Sequence, residues 1–305
     1  MVNNISVKTS KGVRLAACDR AFYIVCYILI AILFLAVLYP IIYVLSASFS
    51  SPAALAAGKV VLLPVDPSLE GYQAVFNYSK VWLGYRNTIF YVILGTAINL
   101  AVTLCCAYPL SRPTLPGKGF FMGLFTFTML FGAGMIPNYI LIKDLSLLNT
   151  IWSIVLPGAM SVYFMIVART YMQTNIPKDM LDAATIDGCD DFRYFFRIVL
   201  PLSKAIIAVL ALWYAVGHWN AYFNAFLYLK DQNLYPLQIF LKDVLVASEF
   251  SADDMMDPET IVVTQNMKLL LKYSLIVVSV VPLFFMYPFV QKYFVKGVMI
   301  GSVKG

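Results

Sequence analysis

Six residues crowded into one apolar stretch, "YAVGHWNAYFNAF" (214–226), carry side chains able to hold a polyhydroxylated molecule. Aromatic rings stack on the C–H faces of a sugar, and amides beside them pair with its hydroxyls. Tyr214, His218, Trp219, Asn220 and Asn224 are therefore candidates for a substrate path, with Tyr222 beside them. The competing reading is structural. A lone histidine between helices is commonly a satisfied packing residue, and Trp and Tyr mark membrane interfaces. Other chemistry is scarce. His218 is the single histidine, which argues against a membrane enzyme. Cys18, Cys26, Cys105, Cys106 and Cys189 form no C-x-x-C, so neither a disulfide framework nor a metal site is expected. No G-x-x-x-x-G-K-[ST] occurs, so no phosphate-cradling loop is encoded and any ATP must be handled by another chain.

A second stretch stands out by charge. "DMLDAATIDGCDDFRYFFRIVLPLSKA" (179–205) holds Asp179, Asp182, Asp187, Asp190 and Asp191 with Arg193, Arg197 and Lys204, and Lys178 precedes it. Pro177 suits a first helical turn, and Gly188 suits a left-handed stop. Asp190 and Asp191 then fall at the favourable end of a second helix. Phe192, Phe195, Phe196 and Val199 recur at helical spacing and predict one apolar face. An amphipathic helix lying on headgroups would show the same period. Such a helix has no need of paired alanines (Ala183, Ala184) or a sharp glycine turn, whereas a protruding knob for another protein does.

These segments must be positioned by apolar elements. The chain is 61% hydrophobic and 12% charged, with mean hydropathy +0.80; soluble domains carry about 25% charged residues. Charge-free runs predict spans near 21–48, 86–110, 119–141, 150–171, 204–228 and 270–291, each close to the ~20 residues that cross a hydrocarbon core. The first run is far longer than the h-region of a cleaved signal, so it reads as a retained span, although "SASFSS" (46–51) weakly resembles a cleavage site. Lys and Arg fall mostly on the segments that share a side with the N-terminus, which predicts both termini in the cytoplasm. The net charge of +6 then faces anionic membrane lipids; no nucleic-acid motif accompanies it. No Asp, Glu, Lys or Arg lies mid-span. That weighs against an ion-coupled secondary transporter and favours a neutral or weakly charged cargo. Nothing resembles a channel filter. One membrane domain (21–291) is expected between a cytoplasmic segment (1–20) and a cytoplasmic tail (292–305).

"DAATIDGCDDFRYFFRIVLPL" closely resembles the EAA loop of binding-protein-dependent ABC importers, with Ile198, Leu200 and Pro201 at the matching spacing. "AYPLSR" (107–112), "MIPNYILIKDLSLLNT" (135–150) and "HWNAYFNAFLYL" (218–229) are similar to the maltose-type carbohydrate permeases. Asp182 stands where that pattern has Glu, Cys189 where it has Ala, and Ala205 where Pro is common. The resemblance implies an all-α type I importer permease with six spans. Its loop 178–204 would seat Asp182, Ala183, Ala184, Asp187 and Gly188 on an ATPase subunit. It further implies a second permease, two ATPase subunits holding ATP and magnesium, and an extracellular binding protein that delivers a saccharide. The chain itself would hold no cofactor and catalyse nothing. The loop 229–268 would be extracellular, and its acidic residues Asp253, Asp254 and Asp257 are candidates for contact with the binding protein. The tail, with Gly297, Gly301 and Gly305 four apart, resembles a subgroup associated with complex oligosaccharides in a bacterial cell membrane.

Overall fold

The computed structural model describes residues 17–250 and 266–285, and among these no strand occurs. Helix α1 (Ala17–Ser48) is apolar along almost its whole length, and no residue of its most apolar stretch is buried by the other described residues. A helix with no polar face is suited to lipid or to another apolar protein. Short helices α2 (Pro52–Ala56) and α3 (Glu70–Asn77) follow. Then comes α4 (Ser79–Ser111), about 50 Å long at 1.5 Å per residue.

The next spans depart from the sequence expectation. In place of one helix over 119–141 there are α5 (Lys118–Leu130) and α6 (Met135–Asp144), bent by 112° across "FGAG". Gly134 holds φ at 85°, a value that stops a helix. The 150–171 expectation likewise resolves into α7 (Trp152–Val155) and α8 (Val162–Asn175), separated at Pro157 and Gly158. The knob region comprises α9 (Lys178–Ile186), α10 (Asp191–Tyr194), a π turn (Phe195–Val199) and α11 (Leu200–Leu202). A 79° bend leads into α12 (Lys204–Asn220), which stops before α13 (Phe223–Tyr228). After a 3-10 turn (Gln232–Leu234) come α14 (Leu237–Phe250) and α15 (Asn266–Phe285). Among the described residues, three helices are long and apolar enough to cross a membrane, or up to five if each bent pair is one span.

Helix α4 is the axis of the packing. Near its start, the Leu237 amide donates to Thr88 Oγ1 (2.8 Å), Asn87 donates to the carbonyls of Asn233 and Tyr235 (2.6 and 3.0 Å), and Tyr91 donates to the Leu234 carbonyl. Near its end, Arg169 Nε donates to the Leu110 carbonyl (2.9 Å) and Gln173 to that of Ser111 (3.2 Å). The 232–240 segment is thus fastened near one end of the helix and α8 at the other, where Arg112 also pairs with Asp191 of the knob.

Candidate functional site

The knob is built from local rules. Helix α9 ends at Asp187, and Gly188 follows with φ 73°, the left-handed stop that its position suggests. The Gly188 and Cys189 amides donate back to Thr185 and Ala184 carbonyls (3.1 and 2.9 Å), closing the turn. Asp190 caps α10 by accepting from the Arg193 amide at 2.8 Å. Asp182, Ala183 and Asp187 are exposed, whereas Ala184 is buried in the chain's own core with Tyr194, Phe195 and Val199. The paired alanines therefore do different work: Ala184 lets α9 lie close on its own support, and Ala183 faces outward. The single apolar face expected from Phe192 to Val199 is also divided. The π turn alters the helical phase, so Phe195 and Val199 point inward while Phe192 and Phe196 stay exposed. Ile186 is 87% exposed and Phe192 79%, two large apolar side chains at the rim of a charged projection.

Arg112 fixes this projection to α4. Its guanidinium pairs with Asp191 at 2.7 Å, the one salt bridge among the described residues. The same group lies over the rings of Tyr108 (5.5 Å) and Tyr194 (5.4 Å). Tyr108 also donates to Asp191 Oδ1 (3.3 Å) and packs on Phe195, with ring centroids 4.8 Å apart.

Midway along α4, a polar ladder meets the aromatic stretch. His218 Nε2 bonds Asn99 Oδ1 at 2.6 Å, and Asn99 Nδ2 donates to the Gly158 carbonyl at 2.9 Å. Gly95 sits one turn earlier on the same face, and a side chain there would collide with the His218 ring. One turn later, Thr103 Oγ1 and Tyr214 OH are 2.7 Å apart, and the Ser161 amide donates to that same Tyr214 oxygen (3.2 Å). Trp219 is buried, and its indole N–H donates to the Ser279 carbonyl on α15 (3.0 Å). Asn220 is exposed and donates to Val216 within its own helix. Asn224 lines a cavity of about 470 Å³ with Asn138, Tyr228 and the 156–158 break. The five candidates are therefore dispersed: Tyr214, His218 and Trp219 join helices, Asn220 is exposed, and Asn224 is half-buried in the wall of that cavity. Asp253, Asp254 and Asp257 lie outside the described residues.

Sequence reasoning assigned no role to Arg112, Gly95, Asn99 or Thr103. A signal for three of them existed: Gly95, Asn99 and Thr103 recur every four residues, so one face of an apolar helix carries a row of small and polar groups.

No protein-family model matches the chain. Individual proteins do. The polygalacturonan/rhamnogalacturonan transport system permease protein YtcP of Bacillus subtilis (strain 168) is 36% identical over 294 residues, covering 94% of this chain and 99% of the relative. The chain belongs to the carbohydrate ABC transporter permeases. Protein LplC of the same organism is 38% identical over 266 residues, 87% of this chain and 89% of the relative. A crystal structure of a bacterial ABC transporter involved in the import of the acidic polysaccharide alginate matches with TM-score 0.84 and 35% identity, over 93% of this chain and 100% of that one. This carbohydrate permease is accordingly a multi-pass membrane protein of an ATP-driven importer and not a catalyst. Nucleotide and magnesium belong to a partner ATPase, and ion-coupled carriage is not favoured.

Proposed function

We propose that this permease crosses the membrane six times with both termini in the cytoplasm, and that 178–204 is the seat of a cytoplasmic ATPase. One observation carries the coupling assignment: exposed Ile186 and Phe192 cap a charged projection that Arg112 anchors to α4. Large exposed apolar side chains beside charged ones suit insertion into another protein's cleft. A second, related permease completes the pathway, two ATPase subunits drive it, and an extracellular binding protein delivers the cargo. The placement of 232–240 and the knob at opposite ends of α4 supports opposite sides of the membrane for the two loops. Asp253, Asp254 and Asp257 in the outer loop remain the proposed contacts for the binding protein.

The cargo is an oligosaccharide that bears carboxylates. Two relatives covering more than nine tenths of the chain are named for polygalacturonan/rhamnogalacturonan and for alginate. This reading replaces the neutral cargo suggested by charge-free spans, since cations for the acid groups can come from the other subunits. Asn224 in its cavity and exposed Asn220 are the proposed hydroxyl partners along the path, with His218 and Tyr214 setting the helices that present them and Trp219 locking α12 to α15. The test is uptake by the whole complex in liposomes with internal ATP and ionophores present. Oligogalacturonate should enter and outcompete neutral maltooligosaccharide. Uptake that collapses with the ion gradients would reject the ATP-driven assignment, and preference for the neutral sugar would reject the acidic cargo.

A further inference from the structure

Beside the knob lies a cavity of about 250 Å³ with a one-sided charge. Arg112 reaches it from the end of α4, Lys118 from the start of α5 and Lys178 from the start of α9. Gln173, Tyr108 and Tyr194 add neutral polar groups, and no carboxylate among the described residues lines the wall. Arg169 stands behind Lys118, close enough for the two cations to repel. Part of this charge has an evident structural use. Arg169, Gln173 and Lys118 donate to the carbonyls of Leu110, Ser111 and Arg112, the last carbonyls of α4. A helix end offers roughly half a negative charge. Asp191 offsets Arg112 from outside the cavity, and Asp182 acts on Tyr194 from α9. Against four cations this leaves a surplus of more than one positive charge around a space large enough for a small polyatomic anion. Arg112, Lys118 and Arg169 are half-buried, and holding such like charges together is costly without a counter-ion.

We propose that this cavity binds a phosphate group, which ties the coupling knob to the ends of α4 and α5. A tetrahedral dianion suits the wall better than a planar carboxylate, because the three cations approach from three separate elements. The phosphate has two sources at this depth, an inner-leaflet phospholipid headgroup or a soluble phosphate ester. The site rests on the assigned topology only for which side of the membrane it faces.

The test reads binding and not transport, so it stands apart from the cargo and coupling assignments. The intact complex in phosphatidylcholine nanodiscs is titrated with inorganic phosphate against chloride at equal ionic strength, and its Tm is followed. Binding to the folded state should raise Tm by roughly 2–4 °C near saturation. K118Q/K178Q should weaken the half-saturation point about fivefold per charge removed, about 25-fold together. In a second arm, a third of the phosphatidylcholine is replaced by phosphatidylglycerol with no phosphate added. A rise in the wild type that the double variant lacks assigns the site to a lipid headgroup, and a response to inorganic phosphate alone assigns it to a soluble ester. A shift in neither arm, or equal shifts in wild type and variant, overturns the proposal. Should the double variant fail to assemble, K178Q, altered at an exposed position, carries the same comparison with an expected fivefold change.

Discussion

Replacing Arg112 by glutamine should loosen the knob without unfolding the permease. The side chain makes one ion pair with Asp191, which is 72% exposed, so that pair contributes only about 0.2–1 kcal/mol. Its contacts over Tyr108 and Tyr194 add about 0.5–1 kcal/mol each. The total is roughly 1–3 kcal/mol, or about a five- to 150-fold shift between seated and unseated knob. Amide hydrogen exchange within 178–190 reads this equilibrium directly and should accelerate by the same factor, while exchange in the middle of α4 stays unchanged. Stimulation of the partner ATPase by loaded binding protein should fall in parallel, with basal turnover nearly constant. D191N removes the ion pair but leaves both ring contacts, so its effect should be the smaller. Exchange in α9 that is identical in R112Q and wild type would refute the anchoring argument. Equal effects of R112Q and D191N would refute the share assigned to the rings.

Gly95→Ala should lower the Tm of the complex, because its methyl group meets the His218 ring; overpacking of this kind costs about 1–3 kcal/mol. Adding H218A should restore part of that loss, and a double variant less stable than either single one would contradict the contact. Trp219→Phe removes the indole N–H that donates to the Ser279 carbonyl and should cost about 0.5–1.5 kcal/mol, seen as a lower Tm. An altered KM for uptake at unchanged Tm would instead place Trp219 against the substrate. In a cysteine-free background, Gln232→Cys should react with an impermeant maleimide on intact cells and Ile186→Cys should not; the opposite pattern inverts the topology.

Much of this arrangement is legible in the residues alone. The helix–glycine–helix of the knob follows from Pro177, Gly188 and Asp190, whose effects are local and act within a few residues. The family resemblance likewise rests on contiguous motifs. The breaks at 131–134, 156–161 and 221–222 were harder to read, because hydropathy records how apolar a segment is and not whether it stays straight. Gly132, Gly134 and the Pro157–Gly158 pair were visible signals, yet spans tolerate both residue types when neighbours satisfy the freed backbone groups. The fate of Trp219 was beyond sequence reasoning for another reason. Its partner, Ser279, lies 60 residues away, and nothing local to either position marks the pair.

The 50 Å reach of α4 has a mechanical consequence. A straight rod pivoting near its centre turns an angle at one tip into an arc at the other. A tilt of about 5° about the Asn99 region would move Thr88 and Arg112, each about 15–20 Å from it along the axis, by about 1.5 Å in opposite senses. Hydrogen bonds such as Leu237 to Thr88 do not survive stretching by that distance. The 232–240 segment must therefore either travel with the rod or let go of it. Since Thr88, Asn87 and Tyr91 together supply four bonds to that segment, travelling is the cheaper course. A displacement begun at Arg112 would then arrive at Leu237 with its direction reversed and its size preserved.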